Sequence, residues 1–166
     1  MTTHRTHLKT ITAAATFAVA SSLAGLALAA GSHAGGHCSH GDSPIGQAAT
    51  MDQVTKAVTI DMTDNMRFTP ANVQVTKGDV VHFIVKNSGA VQHEMTIGTP
   101  EELALHYQQM LKFPGMQHDD PQTASVAPNE TGDIVWAFTT SGTVDFACLQ
   151  PGHFDAGMKG YVQVNK

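Results

Sequence analysis

The sequence predicts an all-β protein built as a β-sandwich of about seven or eight strands, with one helical insertion and a flexible N-terminal tail. Short segments in which apolar and polar residues alternate recur from about residue 54 to the end of the chain. Turn signals rich in Gly, Pro or Asn separate these segments. The insertion and the tail are predicted where the alternation stops, first in a Gly- and His-rich stretch and later in a helical segment.

The strands are predicted from their apolar positions. In chain order these are Val58, Ile60 and Met62; Val73 and Val75; Val81, Phe83 and Val85; Met95 and Ile97; Ile134, Trp136 and Phe138; Val144 and Phe146; and Tyr161, Val162 and Val164. Successive side chains of a strand point to opposite faces. We therefore expect these residues to form the core and His82, which is out of phase with its neighbours, to face solvent.

The insertion begins with Thr99-Pro100-Glu101-Glu102, a sequence typical of a helix start. Thr99 suits the N-cap, Pro100 suits the first turn, and the two acids interact favourably with the helix dipole. The helix is predicted to run to about Lys112, where Phe113-Pro114-Gly115 stops it.

Residues 1–29 have the three parts of a secretory signal peptide. Arg5 and Lys9 supply the positive region, an Ala- and Leu-rich stretch follows, and Ala27-Leu28-Ala29 is a small-x-small cleavage signal. We expect cleavage after Ala29 or Ala30; a membrane anchor is the alternative. Residues 30–50 are then predicted to be a flexible, His-rich tail, and residues 51–166 the folded domain.

The composition excludes several classes of protein. The chain has 166 residues, 9 basic against 14 acidic, so a basic nucleic-acid interface is not expected. Its 2 cysteines exclude a multi-disulfide scaffold. No Ser-His-Asp order, phosphate loop or HExxH motif is present, so no catalytic residues are predicted. The 10 histidines and 8 methionines are the unusual feature, because both residue types bind metals.

One loop near the end of the chain combines three metal-binding side chains. Cys148, His153 and Met158 follow one another at five-residue spacing in a segment that also contains Pro and Gly. His93, at the start of a predicted strand, is a fourth candidate. Two His and one Cys with a weak axial Met form a type 1 copper site. The alternative is a metal-free sandwich, in which Cys148 is a buried thiol or pairs with Cys38.

The loop from Cys148 to Met158, taken with His93, resembles that of the cupredoxins, the single-domain blue-copper proteins. Pro151-Gly152-His153 is similar to the azurin loop, and the gap from His153 to Met158 is closer to that of plastocyanin. The segment His93-Glu94-Met95, the insertion and the tail around His37-Cys38-Ser39-His40 resemble the CopI-type periplasmic copper-tolerance cupredoxins. The resemblance implies a Greek-key sandwich, a periplasmic location and protection against excess copper. It implies as copper ligands His93, Cys148, His153 and Met158.

Glu94 departs from the pattern of many cupredoxins, which have Asn directly after the upstream His ligand. In those proteins the contacts of the Asn tie the copper loop down. A carboxylate in this place, next to the ligands, would favour the cupric state if it pointed inward.

Two further groups of residues are candidates for binding metal. The tail contains His33, His37, Cys38 and His40, which form either a second copper site or a solvated spacer. The insertion contains His106, Met110, Met116 and His118, which form either a Cu(I) patch or ordinary helix packing followed by a Met-rich loop.

Two functions are therefore weighed. The first is copper tolerance by sequestering or oxidising copper ions, which the His-rich tail and Glu94 favour. The second is electron transfer between redox partners in the periplasm. Both functions imply copper as the cofactor. Both also imply two kinds of partner, namely copper ions and a periplasmic redox or copper-handling protein. Neither involves nucleic acid, nor a membrane after signal cleavage. A lone Cys148 excludes a binuclear copper centre, and the length excludes a multicopper oxidase.

Overall fold

The computed structural model describes residues 44–116 and 119–166. The predicted signal peptide and the tail residues His33 to His40 lie outside the described residues. The elements are, in chain order, β1 (Gln47–Ala48), a 3₁₀ turn (Met51–Gln53), β2 (Lys56–Thr63), β3 (Arg67–Thr69), β4 (Asn72–Thr76), β5 (Val80–Asn87), β6 (His93–Gly98), α1 (Pro100–Lys112), β7 (Thr123–Val126), β8 (Thr131–Ala137), β9 (Gly142–Ala147) and β10 (Lys159–Asn165). Among these residues no helix has the length and apolar character needed to cross a bilayer.

The strands form two five-stranded sheets, with the orders β1-β8-β5-β2-β3 and β4-β10-β9-β6-β7. Two pairs, β2 with β5 and β4 with β10, are parallel, and the remaining pairs are antiparallel. The predicted β-sandwich with one helical insertion is confirmed. The described chain has ten strands rather than seven or eight, because β1, β3 and β7 contain only two to four residues. Segments that short do not show a readable alternation.

The core lies between the two sheets and comes from the alternating positions. Val81, Phe83 and Val85 of β5 are fully buried, in agreement with the prediction. His82 lies on the other face of the same strand, but it is not open to solvent: its side chain is 14% exposed. Its Nε2 lies 2.6 Å from the Asp133 carboxylate of β8, which covers it. The face of His82 was thus predicted correctly, and its exposure was not.

The ordered domain includes residues that the sequence pattern assigns to the tail. Gln47 pairs with Ala137 of β8, and the indole N–H of Trp136 donates to the Ile45 carbonyl at 2.5 Å. Gly46 makes this approach possible, because its φ is +92° and a Cβ there would lie 2.0 Å from the Ala137 oxygen. A two-residue strand after a glycine-rich stretch has no periodicity to reveal it.

Helix α1 begins and ends where the sequence predicts. The Thr99 hydroxyl accepts the Glu102 N–H at 3.2 Å, and the Glu102 carboxylate accepts the Thr99 N–H at 2.8 Å, which together form a capping box. Pro100 occupies the first turn. At the other end the Phe113 N–H donates to the Gln109 carbonyl, and the helix stops there.

The helix covers one face of the second sheet. Its buried side chains pack in a separate apolar cluster with two residues of β9 and the following loop; the cluster consists of Leu103, Tyr107, Met110, Ala147 and Leu149. As a result every residue of β6 is buried, although a strand normally has one outer face. Met95 and Ile97 face the core between the sheets, whereas Glu94 and Thr96 face the other side.

Candidate metal centre

Three of the predicted ligands meet at one end of the sandwich. His93 begins β6, Cys148 directly follows β9, and His153 lies in the loop between β9 and β10. Their ligand atoms all lie within 4.8 Å of one another. The Nδ1 atom of His153 is 3.2 Å from Nδ1 of His93 and 3.3 Å from Cys148 Sγ. The two Nδ1 atoms and the sulfur thus face a common point.

The fourth predicted ligand, Met158, is fully buried and belongs to the core cluster. It lies where the loop returns to the sheet, and its backbone is hydrogen-bonded to the backbones of Cys148 and His153. The Cys148 N–H donates to the Met158 carbonyl at 3.1 Å, and the Met158 N–H donates to the His153 carbonyl at 3.1 Å. The loop therefore closes on itself and keeps its three predicted ligands together.

Burial shifts the pKa values of two of the donors at this site. Burial raises the pKa of the Cys148 thiol to about 12, an effect that the Glu94 carboxylate adds to and the N–H groups of Glu94 and Gln150 oppose. Burial lowers the pKa of His153, and so does the nearby His93. Without a cation the site thus holds a thiol and a neutral imidazole. A thiolate, two imidazoles and a thioether are donors that copper accepts in both oxidation states, so these residues fit a copper ion.

Glu94 ties the ligand loop to β6. It is fully buried, and its carboxylate accepts the Leu149 N–H at 3.1 Å and the Gln150 side-chain amide at 3.1 Å. The Ser125 hydroxyl approaches the same carboxylate at 3.5 Å. The Glu94 N–H points to Cys148 Sγ at 3.4 Å. The Glu94 carboxylate therefore lies beside the loop backbone, whereas the backbone N–H of Glu94 faces the Cys148 sulfur.

Asp64 is a residue of the site that the sequence did not reveal. It lies in the turn between β2 and β3, and its Oδ1 is 3.1 Å from Nε2 of His93. The same carboxylate accepts the N–H groups of Ala90 at 2.8 Å and Val91 at 3.4 Å. These hydrogen bonds, with that of the Ala90 N–H the largest influence, hold the pKa of Asp64 below its ordinary value. In the sequence, Thr-Asp-Asn indicates only a turn.

The loop before His93 is held by a second buried polar residue, Asn87. Its side-chain amide donates to the carbonyls of Val91 at 2.8 Å and Val126 at 2.9 Å. Its oxygen accepts the Gly89 N–H at 2.9 Å. In the sequence, Asn87-Ser88-Gly89 indicates only a turn after β5, because the partners of the Asn87 side chain include Val126, which is 39 positions away.

Tyr107 connects helix α1 to the ligand loop. Its hydroxyl donates to the Asp155 carboxylate at 2.7 Å and accepts the Gly152 N–H at 3.4 Å. Its ring packs on Phe154 with centroids 4.8 Å apart, and the Lys159 ammonium lies 3.5 Å from the centroid of Phe154. The helical insertion thus contacts the loop both before and after His153, at Gly152 on one side and at Phe154 and Asp155 on the other. The hydrogen bond to Asp155 raises the pKa of Tyr107.

The residues of the predicted Cu(I) patch lie in different environments. Met110 is fully buried in the cluster between α1 and β9, and His106 is partly exposed beside a cleft of about 130 Å³ between α1 and β6. Met116 lies beyond the end of the helix and is 36% exposed. His118 lies outside the described residues, as do the tail candidates His33, His37, Cys38 and His40.

Comparison with known proteins agrees with this site. The family model of copper binding proteins, plastocyanin/azurin family, matches residues 54–165. The copper-resistant cuproprotein CopI of Rubrivivax gelatinosus is 44% identical over 132 residues, which cover 80% of each chain. The copper-resistant cuproprotein CopI of Vibrio cholerae serotype O1 is 35% identical, with 71% of this chain and 70% of the relative covered.

Solved structures show the same fold. Reduced auracyanin from Roseiflexus castenholzii is 22% identical, with a TM-score of 0.57 over 72% of this chain and 100% of that one. Auracyanin B is 20% identical, with a TM-score of 0.60 over 73% of this chain and 96% of that one. The family model spans β2 to β10, including the residues that converge at one end of the sandwich. The chain therefore belongs to the plastocyanin/azurin family of copper-binding proteins, the cupredoxins, and has CopI cuproproteins among its relatives.

Proposed function

We propose that this chain is an exported copper-tolerance protein with a type 1 copper site held by His93, Cys148, His153 and Met158. The observation that carries the proposal is the convergence of three ligand atoms, from residues up to 60 positions apart, within 4.8 Å at one end of the sandwich. The role in tolerance is supported by the relatives, which are named copper-resistant cuproproteins. Copper in this site would supply one-electron chemistry between Cu(I) and Cu(II).

The protein's own residues would contribute preorganisation. Glu94 and Tyr107 each restrain the loop of Cys148 and His153 through the hydrogen bonds described above. Because these hydrogen bonds hold the loop donors in place, little rearrangement is needed on binding. Burial of Cys148 also excludes water from the sulfur. Fixed donors with a buried sulfur suit both sequestration and redox cycling of copper ions.

The test of the site is an optical titration of the purified mature protein with Cu(II). A type 1 site gives intense thiolate-to-copper charge transfer in the visible range, and Cys148→Ser should abolish it. The matched control is Cys38→Ser, which should retain the band. A wild-type protein that binds copper without such a band would contradict the type 1 assignment. Retention of the band by Cys148→Ser would contradict the ligand assignment.

The alternative function is that of an electron carrier between periplasmic redox partners. It is favoured by one observation: His153 is only partly buried, and its neighbours Pro151 and Gly152 are exposed, so the site lies close to the surface. The two functions differ in their dependence on the tail. Deletion of residues 31–43, which spares Ile45 and Gly46 with their contacts to β8, should impair growth in copper if the chain acts in tolerance. The same deletion should leave electron exchange intact if it acts as a carrier.

The tail and the signal peptide complete the proposal. We expect the mature protein to begin after Ala29 or Ala30 and to be periplasmic, which the mass of the protein purified from a periplasmic extract tests directly. The tail residues His33, His37, Cys38 and His40 are proposed to bind a second copper ion. A Cys38→Ser variant should then lose a second, weaker equivalent of copper and keep the first. Equal stoichiometry in the two proteins would contradict a tail site.

The insertion is proposed as a Cu(I) patch only in its exposed part. Met116 is accessible beyond the helix end, whereas Met110 is enclosed by apolar side chains. A Met116→Leu, His118→Ala double variant should then take up Cu(I) more slowly than wild type. An unchanged rate would contradict a Cu(I) patch at these residues.

A further inference from the structure

The upstream ligand His93 has a carboxylate partner in a different part of the chain. Its imidazole is fully buried, with Nδ1 directed to His153 and Nε2 directed to Asp64 Oδ1 at 3.1 Å. An imidazole that binds a metal through one nitrogen carries its proton on the other. With Nδ1 in the ligand cluster, the Nε2–H donates to Asp64, and the orientation of the ring is set by this hydrogen bond.

Asp64 is itself held in a defined position. The Ala90 N–H donates to Oδ2 at 2.8 Å, and the Val91 N–H donates to Oδ1 at 3.4 Å. Gly89 leaves room for this approach, since a Cβ at Gly89 would lie 2.1 Å from Asp64 Oδ1. The carboxylate is thus fixed by the same loop that leads into His93.

From this geometry we propose that Asp64 is a positioning residue for the copper site, which fixes the His93 ring and tautomer and adds negative charge behind the ligand. The inference rests on the copper site proposed above. Carboxylate partners of metal-binding histidines raise the basicity of the ligand, and their loss typically weakens metal binding about 10- to 100-fold. The charge stabilises Cu(II) more than Cu(I), because the added attraction grows with the charge of the ion.

Asp61 offers a matched control on the neighbouring strand. Its carboxylate accepts the Ser88 hydroxyl at 2.6 Å, so it tethers the same loop with the same charge. It belongs to β2, and its carboxylate contacts Ser88 rather than His93. Asp61→Asn therefore removes one nearby charge while leaving the contact between Asp64 and His93 in place, and the Asn oxygen can still accept the Ser88 hydroxyl.

The experiment compares wild type, Asp64→Asn, Asp64→Ala and Asp61→Asn in the mature protein. The Cu(II) dissociation constant is measured by competition with a chelator, and the visible spectrum and reduction potential are recorded. We expect both Asp64 variants to bind Cu(II) about 10- to 100-fold more weakly, with a higher potential and a shifted charge-transfer band. Asp61→Asn should match wild type. Affinity within about twofold of wild type in Asp64→Ala, or an equal loss in Asp61→Asn, would overturn the proposal.

A measurement on the metal-free protein separates this inference from the copper site. Nitrogen-15 NMR of the imidazoles reports which nitrogen of His93 carries the proton. We expect Nε2–H in wild type and Asp61→Asn, and a tautomer mixture in Asp64→Ala. A mixture already present in wild type would overturn the positioning role even if copper binds. If wild type shows Nε2–H but no charge-transfer band with Cu(II), the failure belongs to the type 1 assignment alone.

Discussion

The Glu94 carboxylate accepts the backbone N–H of Leu149 at 3.1 Å, across 55 positions of the chain. This hydrogen bond joins the residue after one predicted ligand, His93, to the residue after another, Cys148. The ends of β6 and β9 that carry the two ligands are therefore held together by a buried side chain as well as by strand pairing.

Replacement of Glu94 by Gln should destabilise the metal-free protein. One amide oxygen can still accept the Leu149 N–H, but the NH₂ group would then face the Gln150 amide, which is also a donor. We expect the free energy of unfolding to fall by about 1–3 kcal/mol, the usual cost of an unsatisfied buried polar group. Urea unfolding, followed by the fluorescence of Trp136, measures this. The control Glu130→Gln, at an exposed position, should change the free energy of unfolding by less than about 0.5 kcal/mol. A Glu94→Gln variant as stable as wild type would contradict the role of Glu94 as a tether.

The Tyr107 hydroxyl should stabilise the fold in a pH-dependent way. Its hydrogen bond to Asp155 raises its pKa above the ordinary value of 10.0. The folded protein therefore keeps this proton to higher pH than the unfolded chain does. The contribution is complete below pH 10 and is lost as the pH rises through the raised pKa.

Tyr107→Phe tests this contribution. We expect it to be less stable than wild type by about 1–2 kcal/mol at pH 7, and the difference should shrink when the pH is raised above 10. Urea unfolding at several pH values measures the stability difference and its decrease at high pH. The lysines titrate in both proteins, so their effect cancels when the two free energies are subtracted. Tyr161→Phe, at a residue that is 39% exposed on β10, is the matched control and should show neither effect. A difference that stays constant across pH would refute the assigned cause.

Binding of Cu(II) should release a proton from Cys148. The thiol has a pKa of about 12 in the metal-free protein, and a copper ligand must be a thiolate. At pH 8 we expect about one proton per copper ion bound. Calorimetric titration in buffers of different ionisation enthalpy measures this number, in a Cys38→Ser background so that the second thiol does not contribute. Cys148→Ser should release none, and a wild-type value near zero would argue against thiolate ligation.

Replacement of Met158 by Leu should alter the copper site without disrupting the core. The side chains are similar in volume, so the stability of this fully buried position should change by less than about 1.5 kcal/mol. Loss of a weak axial thioether should raise the reduction potential and shift the charge-transfer bands. Met62→Leu, at a fully buried core position of β2, is the control and should keep both. An unchanged spectrum and potential in Met158→Leu would exclude the thioether as a ligand.

Local patterns predicted the architecture well where elements are long. The alternation in β5 predicts which of its side chains are buried, and the capping sequence predicts where α1 begins. The short strand β1 was not predicted, because two residues show no period and its pairing with β8 depends on Trp136 and Gly46, which are about 90 positions apart.

The order of residues along the chain is enough to indicate the donors of the site: a thiol, an imidazole and a thioether in one loop, with a second imidazole upstream. It also indicated that Glu94 stands beside the ligands. Only the tertiary structure decided that Asp64 supports His93 and that Tyr107 supports the loop. The physical reason is that ligand spacing in a loop is a local property. The partners that orient ligands come from other strands and a helix, and only the packing of the two sheets and α1 brings them within hydrogen-bond distance.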